Sequence, residues 1–202
     1  MYVYPMFDLL KKNIQSLYPL TDEDCEHFRG AFTERSFKKN EVWTVPGQIC
    51  RELAFVTRGA FRMYYLHEGK EVNVHFFFEN EFAAVYSSFL SQTPSTCYLE
   101  SLEDTEVIVF SSQKLNEVYE ASHNWERFGR IIAEACYLDA MKRAESFLFL
   151  NGEQRYLELV KNKPELLRRV PLYHIASYIG LERESLSRLR RKLAKGNSRK
   201  AA

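Results

Sequence analysis

The chain has 202 residues, 46% of them hydrophobic, and 28 Lys/Arg against 27 Asp/Glu give it a formal net charge of +1. A chain of this size can bury a substantial core in one large domain or two small ones, and no apolar run approaches the ~20 residues of a membrane span. Four scattered cysteines, Cys25, Cys50, Cys97 and Cys136, form no CxxC pair and have no histidine at zinc spacing, which favours reduced thiols over a disulfide framework or a metal cage. The start, Met1-Tyr2-Val3-Tyr4-Pro5, lacks the basic lead and long apolar stretch of a secretory signal, so a cytoplasmic protein is expected.

Phe7, Leu10, Ile14 and Leu17 share one face of a predicted N-terminal helix, and Thr21 is placed to cap a second short helix through Cys25 and Phe28. From Glu34 to Phe110 the texture changes to short runs rich in aromatic and β-branched residues. These are Glu41–Val45, Leu53–Thr57, Ala60–Leu66, Val72–Phe78, Cys97–Leu102 and Thr105–Phe110. Turn signals separate them at Lys39-Asn40, Arg58-Gly59, His67-Glu68-Gly69-Lys70, Glu79-Asn80 and Glu103-Asp104. Closely spaced strands with hairpin turns predict an antiparallel barrel or sandwich. Gly59, between two strands, is expected to supply a positive φ.

Ser111-Ser112 reads as a helix cap before a short helix carrying Leu115, Val118 and Tyr119. A longer helix is predicted from about Asn124 to Phe149, with no proline and no glycine after Gly129. Trp125, Phe128, Ile132, Ala135 and Leu138 make one apolar stripe, and Ala133, Cys136, Ala140, Ala144 and Phe147 make another. A helix apolar on two sides needs two partners. Burial inside one monomer would serve, but a two-fold seam through Trp125, Phe128, Ile132 and Ala135 is the preferred expectation, because many DNA readers pair that way. Asn151-Gly152-Glu153 is the hinge candidate, and Tyr156, Leu157, Leu159 and Val160 open a helical C-terminal domain.

That domain holds the most informative stretch, from Val170 to Leu193. Leu172, Ile175, Ala176 and Ile179 recur at helical spacing, Gly180 interrupts them, and Leu186, Leu189 and Leu193 restart the pattern. The second helix carries Arg183, Glu184, Ser187, Arg188 and Arg191 on the side away from its leucines. This is the pattern of a helix-turn-helix whose second helix enters a DNA major groove. Charge is concentrated there as well. Residues 182–202 hold eight Lys/Arg against two Glu, a net of +6, so residues 1–181 carry −5. Arg183, Glu184 and Arg188 set two guanidinium forks around a carboxylate, able to read guanine O6/N7 and cytosine N4. Ser185, Ser187, Arg190, Arg191 and Lys192 are the expected phosphate contacts.

A β-barrel of short strands, a long helix and a C-terminal helix-turn-helix together resemble the CRP/FNR family of bacterial transcription regulators. Arg183-Glu184-Ser185-Leu186-Ser187-Arg188 resembles the family's Arg-Glu-Thr/Ser-x-x-Arg recognition helix. Phe55-Val56-Thr57-Arg58-Gly59-Ala60 resembles its strand–Gly–strand signature, and Asn80-Glu81-Phe82 its Gly-Asp-Phe turn. The resemblance implies an α+β protein in three parts: N-terminal helices with a jelly-roll-like antiparallel β-roll sensor (1–123), a dimerisation helix (124–150) and a winged helix-turn-helix domain (151–202). It also implies a homodimer on a near-palindromic double-stranded operator, with RNA polymerase as a further partner and no membrane.

The departures from the family bear on mechanism. Nucleotide-binding members carry Gly-Glu-Leu and then Arg-Ser/Thr after that turn, the Glu taking the ribose hydroxyl and the Arg the cyclic phosphate. Here the glycine position falls on Ala84, the Glu position on Val85 and the Arg position on Ser95, beside Thr96. A phosphate without its guanidinium loses a charge-assisted bond of about 1.5–3 kcal/mol, so cyclic AMP and cyclic GMP are not expected. Ala84, Val85, Ser87, Ser88, Ser95 and Thr96 are left to line a pocket for a less charged effector, or for none. Iron–sulfur chemistry needs clustered early cysteines and only Cys25 lies early, while a lone strand histidine, His75, does not argue for haem; no cofactor or metal is expected. After the recognition helix, Lys195–Ala202 is too short and polar for the family's wing and is expected to be an irregular basic tail, and Glu182 stands where Ser or Thr would cap that helix. The alternative function is a small-molecule sensor whose basic end docks another protein. An enzyme is not expected, because no nucleophile–base pair, phosphate-cradling loop or HExxH motif is present.

Overall fold

The computed structural model describes residues 5–27 and 29–200. It divides into two units: the chain up to Tyr65 with His75–Leu138, and Leu66–Val74 with the chain from Asp139 onward.

The first unit opens with α1 (Pro5–Leu17) and α2 (Asp22–His27). Phe7, Leu10 and Ile14 bury one stripe of α1, whereas Leu17, the last residue of the helix, is exposed rather than continuing that stripe. Thr21 caps α2 reciprocally: the Asp24 N–H donates to Thr21 Oγ1 at 3.0 Å and the Thr21 N–H to Asp24 Oδ2 at 3.0 Å. Phe28, expected in the same helix, lies outside the described residues.

The strands are β1 (Phe32–Phe37), β2 (Val42–Thr44), β3 (Glu52–Arg58), β4 (Phe61–His67), β5 (Lys70–Phe77), β6 (Phe82–Ala83), β7 (Tyr98–Ser101) and β8 (Thr105–Ser111). They form two four-stranded sheets, ordered β1-β8-β3-β6 and β2-β7-β4-β5. The six predicted runs are β2, β3, β4, β5, β7 and β8, each end shifted by no more than two residues. β1 was not expected, since Thr33-Glu34-Arg35-Ser36 carries no apolar pattern. It is a strand because β8 supplies its ladder, from Phe32 opposite Phe110 to Phe37 opposite Thr105. β3 and β8 read as continuous apolar runs because α1 packs on both strands.

The turns are where the sequence placed them. Glu68 and Gly69, at the β4–β5 hairpin, have φ of 49° and 75°, the two positive values a tight hairpin turn requires. Gly59 has φ 95°, and a Cβ there would lie 2.7 Å from Thr105 Cα, so both the conformation and the close approach of β8 require glycine. In the core Phe55, Phe61, Leu99 and Ile108 are fully buried. On the other face of β4 and β7, Arg62 and Glu100 form a buried 3.0 Å ion pair, and the Tyr64 hydroxyl donates to the same Glu100 oxygen at 3.0 Å.

Short helix α3 (Tyr86–Ser91) follows β6, and α4 (Ser112–Ala121) follows β8. Ser111 caps α4, accepting from the Lys114 N–H at 3.1 Å. The long helix α5 (His123–Phe149) is present as predicted, but its stripes are used differently. Trp125 and Phe128 are each 5% exposed, in the core of the β unit. The Trp125 indole N–H donates to the Asp24 carbonyl at 3.2 Å, and Phe128 meets Trp125 and Phe82 with ring centroids 5.9 and 6.0 Å apart. Ile132 packs partly buried against the same core. Trp125, Phe128 and Ile132 are therefore not a seam offered to a second chain; of the four residues expected there, Ala135 alone is exposed. Their burial follows from the edge of the β-roll, which presents Phe82 and the two short helices on that side.

The second unit contains α6 (Gly152–Asn162), α7 (Pro164–Arg169), α8 (Leu172–Tyr178) and α9 (Arg183–Lys200). Asn151, read as a hinge, is the N-cap of α6: its side chain accepts from the Gln154 N–H at 3.0 Å, and its own N–H donates to Gln154 Oε1 at 2.9 Å.

Because Phe128 is a core residue, Phe128→Ala should destabilise the first unit by about 3–5 kcal/mol. Both tryptophans, Trp43 and Trp125, lie in that unit, so urea unfolding followed by tryptophan fluorescence measures the loss directly.

Candidate nucleic-acid interface

The helix pair α8–α9 is built around one turn. Leu186, Ile175 and Ala176 are almost fully buried and Leu189 and Leu193 partly, which joins the leucine face of α9 to α8. Ala176, with no side chain beyond Cβ, permits that close crossing. At the end of α8 the Leu181 N–H returns to the Ala176 carbonyl at 2.9 Å and the Gly180 N–H to the Ser177 carbonyl at 3.1 Å. These 6→1 and 5→2 bonds define a Schellman cap, which needs a left-handed residue at its centre; Gly180 supplies it with φ 67°. The carbonyl of Ile179, left over by the cap, accepts from Arg155 Nε at 2.8 Å. Arg155 also stacks 4.6 Å from the Phe147 ring, and a Cβ on Gly180 would meet that ring at 2.9 Å. The turn is thus fixed from α5 and α6 as well as by its own backbone.

At 100° per residue, Arg183, Glu184, Ser187, Arg188 and Arg191 fall within one arc opposite the leucines. Arg183, Glu184, Arg188, Arg190, Arg191 and Lys192 are exposed, and Ser185 and Ser187 are half-buried. Of the sequence-predicted set, Arg183, Glu184, Ser187, Arg188 and Arg191 therefore share one surface and Ser185, Arg190 and Lys192 flank it, with local ties. Arg188 donates to Ser185 Oγ at 3.2 Å, Arg191 to the Ser187 carbonyl at 3.4 Å, and Lys192 pairs with Glu153 at 3.0 Å. Glu182 lies just before α9 and pairs with Lys70 of the hairpin tip at 3.2 Å. The expected irregular tail is instead helical, since α9 continues through Lys200; the side chains beyond Ala194 lie outside the described residues. Lys and Arg have high helix propensity, and one glycine at position 196 costs about 1 kcal/mol, too little to stop a helix already nucleated.

Missed by sequence reasoning is the buried polar centre beneath α8. Asn73, on β5 and fully buried, donates through its backbone to Ser177 Oγ at 3.0 Å and contacts His174 Nδ1 through its amide at 3.2 Å. Arg143 of α5 donates to the carbonyls of Tyr178, at 2.9 Å, and of Asn73, at 3.3 Å. The one signal was Asn73 itself, a polar residue in an otherwise apolar and aromatic run.

The residues expected to line an effector pocket do not form one lining. Ala84, Val85, Ser88 and Ser95 are buried, while Ser87 and Thr96 are exposed. Val85 belongs to the apolar core. The Ser95 hydroxyl donates to the Cys97 carbonyl at 2.8 Å and accepts from the Cys97 N–H at 3.0 Å. The Ser88 hydroxyl is held between the Cys50 N–H and the Thr93 carbonyl. These hydroxyls hold the loop together, and neither Val85 nor Ser95 offers a charge to a ribose or phosphate.

Residues 34–122 match the cyclic nucleotide-binding domain family. Structures similar to the whole chain include the global regulator CLP of Xanthomonas campestris, with 20% identity, a TM-score of 0.69, and coverage of 88% of this chain and 93% of that one. FixK2 of Bradyrhizobium japonicum is 19% identical with a TM-score of 0.69, covering 82% of this chain and 86% of the other. The catabolite activator protein of Thermus thermophilus is 17% identical with a TM-score of 0.58, covering 92% and 88%. No curated protein sequence matches the chain. Fold and domain together define a cyclic-nucleotide-binding-type β-roll combined with a helix-turn-helix; this is the fold of the CRP/FNR regulators.

Since Gly180 is needed for both its φ and its fit against Phe147, Gly180→Ala should destabilise the second unit by about 1–2 kcal/mol. Hydrogen exchange resolved by residue should report faster opening of α8 and α9 amides with those of β3 and β8 unchanged.

Proposed function

We propose that the protein is a sequence-specific, DNA-binding transcription regulator of the CRP/FNR type that acts as a homodimer. The observation that carries this reading is the exposed Arg183–Glu184–Arg188 surface on a helix whose opposite face packs through Leu186, Leu189 and Leu193. A cationic face held outward on a packed helix is the arrangement that attracts a polyanion and fits a major groove. Arg183, Glu184 and Arg188 read base edges, and Ser185, Ser187, Arg190 and Arg191 contact phosphates. Lys192 joins them by exchanging Glu153 for a phosphate, which a surface ion pair worth about 0–1 kcal/mol permits. RNA polymerase is the natural further partner of such a regulator.

Dimerisation is assigned to the side of α5 that its own chain does not bury. The half-buried Ile131 and the exposed Leu138, Met141 and Leu148 follow one another at spacings of seven, three and seven, the repeat of a coiled-coil seam. Leu138 and Leu148 are 57% and 75% exposed, an expensive arrangement for leucine in water. A pair of α9 helices related by this two-fold would reach major grooves about 34 Å apart on a near-palindromic operator.

CLP is described as responsive to cyclic di-GMP. Here the positions that would hold a ribose and a cyclic phosphate are Val85 and a Ser95 already committed to Cys97, so the effector is not a cyclic nucleotide held in that way. Calorimetry with cyclic AMP should give no measurable binding. A micromolar dissociation constant, near −8 kcal/mol, would overturn this part of the reading.

Two further outcomes are expected. Arg183→Ala or Arg188→Ala should weaken operator binding by about 1–3 kcal/mol and relax preference at one guanine, as measured by competition against mismatched operators; unchanged discrimination would refute the base-reading role. Leu138→Glu or Leu148→Glu should give monomers in sedimentation equilibrium with the first unit's unfolding midpoint unchanged. Dimers of undiminished stability would refute this seam.

A further inference from the structure

Within the first unit, α3, α4 and the first turns of α5 frame an open-sided cavity of about 480 Å³ against Ile14 of α1 and residues of β3, β6 and β8. Its walls are mainly apolar, with the rings of Phe82, Tyr86, Phe89, Phe110, Tyr119 and Phe128 among them. The space opens to solvent past the exposed Leu90 and Gln92, so it is a cleft and not a packing void. It falls within the range of small-molecule sites.

Among its polar lining residues, which include Gln92, Ser112 and Asn116, two tyrosines stand out. The hydroxyls of Tyr86 and Tyr119 make no hydrogen bond with any described residue. Burial pushes both phenols above their ordinary pKa, so each is a neutral donor at physiological pH. The charged residues at the rim are already paired: Arg130 with Glu134, and Glu126 with His123 at 3.0 Å. The chain also gives up helix stability to keep Tyr119 where it is. Gly129 stands in the second turn of α5, where glycine costs about 1 kcal/mol relative to alanine. A Cβ at that position would lie 2.5 Å from Tyr119 Cζ. Glycine is needed there for the tyrosine to lie across the helix and reach the cavity.

We propose that this cavity, rather than the loop around Ser95, is the effector site, and that it takes an uncharged aromatic molecule bearing one carbonyl or hydroxyl group. The rings supply dispersion and stacking on the ligand's faces, and the two phenol O–H groups supply the donors for its single polar atom. Arg130, the cation among the lining residues, is held by Glu134. The inference rests on the reading of the protein as an effector-responsive regulator. Its physical link to that reading is α5, which forms one wall of the cavity and carries the proposed seam; a ligand that prefers one arrangement of this helix shifts the population by its differential affinity.

The probe is 6-propionyl-2-(dimethylamino)naphthalene, an uncharged aromatic ketone whose emission reports both polarity and hydrogen bonding to its carbonyl. Titration of the full chain should give saturable binding of one probe per protomer with blue-shifted emission. Tyr86→Phe and Tyr119→Phe, which remove one donor each and no volume, should weaken binding about three- to tenfold and shift emission further to the blue, with thermal unfolding unchanged. Ala133→Trp, which fills the cavity from α5, should abolish saturation, whereas Thr96→Trp, at the exposed loop, should leave it intact. Non-saturable binding, or loss with Thr96→Trp but not with the cavity variants, would overturn the proposal. Equal affinity for the anionic 1-anilinonaphthalene-8-sulfonate would overturn the assigned ligand class. The fluorescence readout is independent of DNA: saturable probe binding by a chain that binds no operator refutes the regulator reading and leaves the site, and operator binding without probe binding does the reverse.

Discussion

Helix α5 carries apolar side chains around most of its circumference, and a single chain can cover only part of them. Trp125, Phe128 and Ile132 go into the β unit, Phe147 goes under the turn of the helix pair and against two arginines, and Leu138, Met141 and Leu148 remain outside. Leucine left in water forfeits about 1.5–3 kcal/mol per side chain relative to burial. The core of the first unit, the support of the Gly180 turn and the leucines left exposed therefore follow from how one helix distributes its faces.

The second unit depends on arginines used as structural cations. Arg143 and Arg155 each meet backbone carbonyls around the end of α8 and rest on aromatic rings, at 4.1 Å from Tyr178 for Arg143 and 4.6 Å from Phe147 for Arg155. Guanidinium suits this work, because its planar face stacks while its edge satisfies the carbonyls that a short helix leaves unpaired. The exposed arginines of α9 are chemically the same group in the opposite setting, at the surface with local ties such as Arg188 to Ser185 and Arg191 to the Ser187 carbonyl. Burial, not residue type, separates the two roles.

Much of this was legible in order along the chain. The six apolar runs, the hairpin turns at Glu68-Gly69 and Asn80, the caps at Thr21 and Ser111, and the break at Gly180 are local features, set by side-chain period and by backbone conformations that few residues adopt. β1 was not legible, because a strand of Thr, Glu, Arg and Ser exists only through its ladder to β8. The expected dimer seam failed for a related reason. Periodicity identifies an apolar stripe but not what covers it, and the stripe of Trp125 and Phe128 is covered by its own chain. The loop of Ser88 and Ser95 carried hydroxyls that sequence assigned to a ligand and the fold assigned to neighbouring backbone.

By itself, then, the sequence determined the class of the molecule: a roll of short antiparallel strands, a long two-faced helix, and a helix pair with its cationic residues on one side. These are consequences of spacing, turn chemistry and charge, which act over a few residues. Tertiary structure alone decided which faces were already occupied, that Val85 is core and Ser95 is satisfied, and that a cavity lies beside Tyr86 and Tyr119. Each of those depends on what residues distant in the chain bring to the same place, and side-chain period carries no record of that.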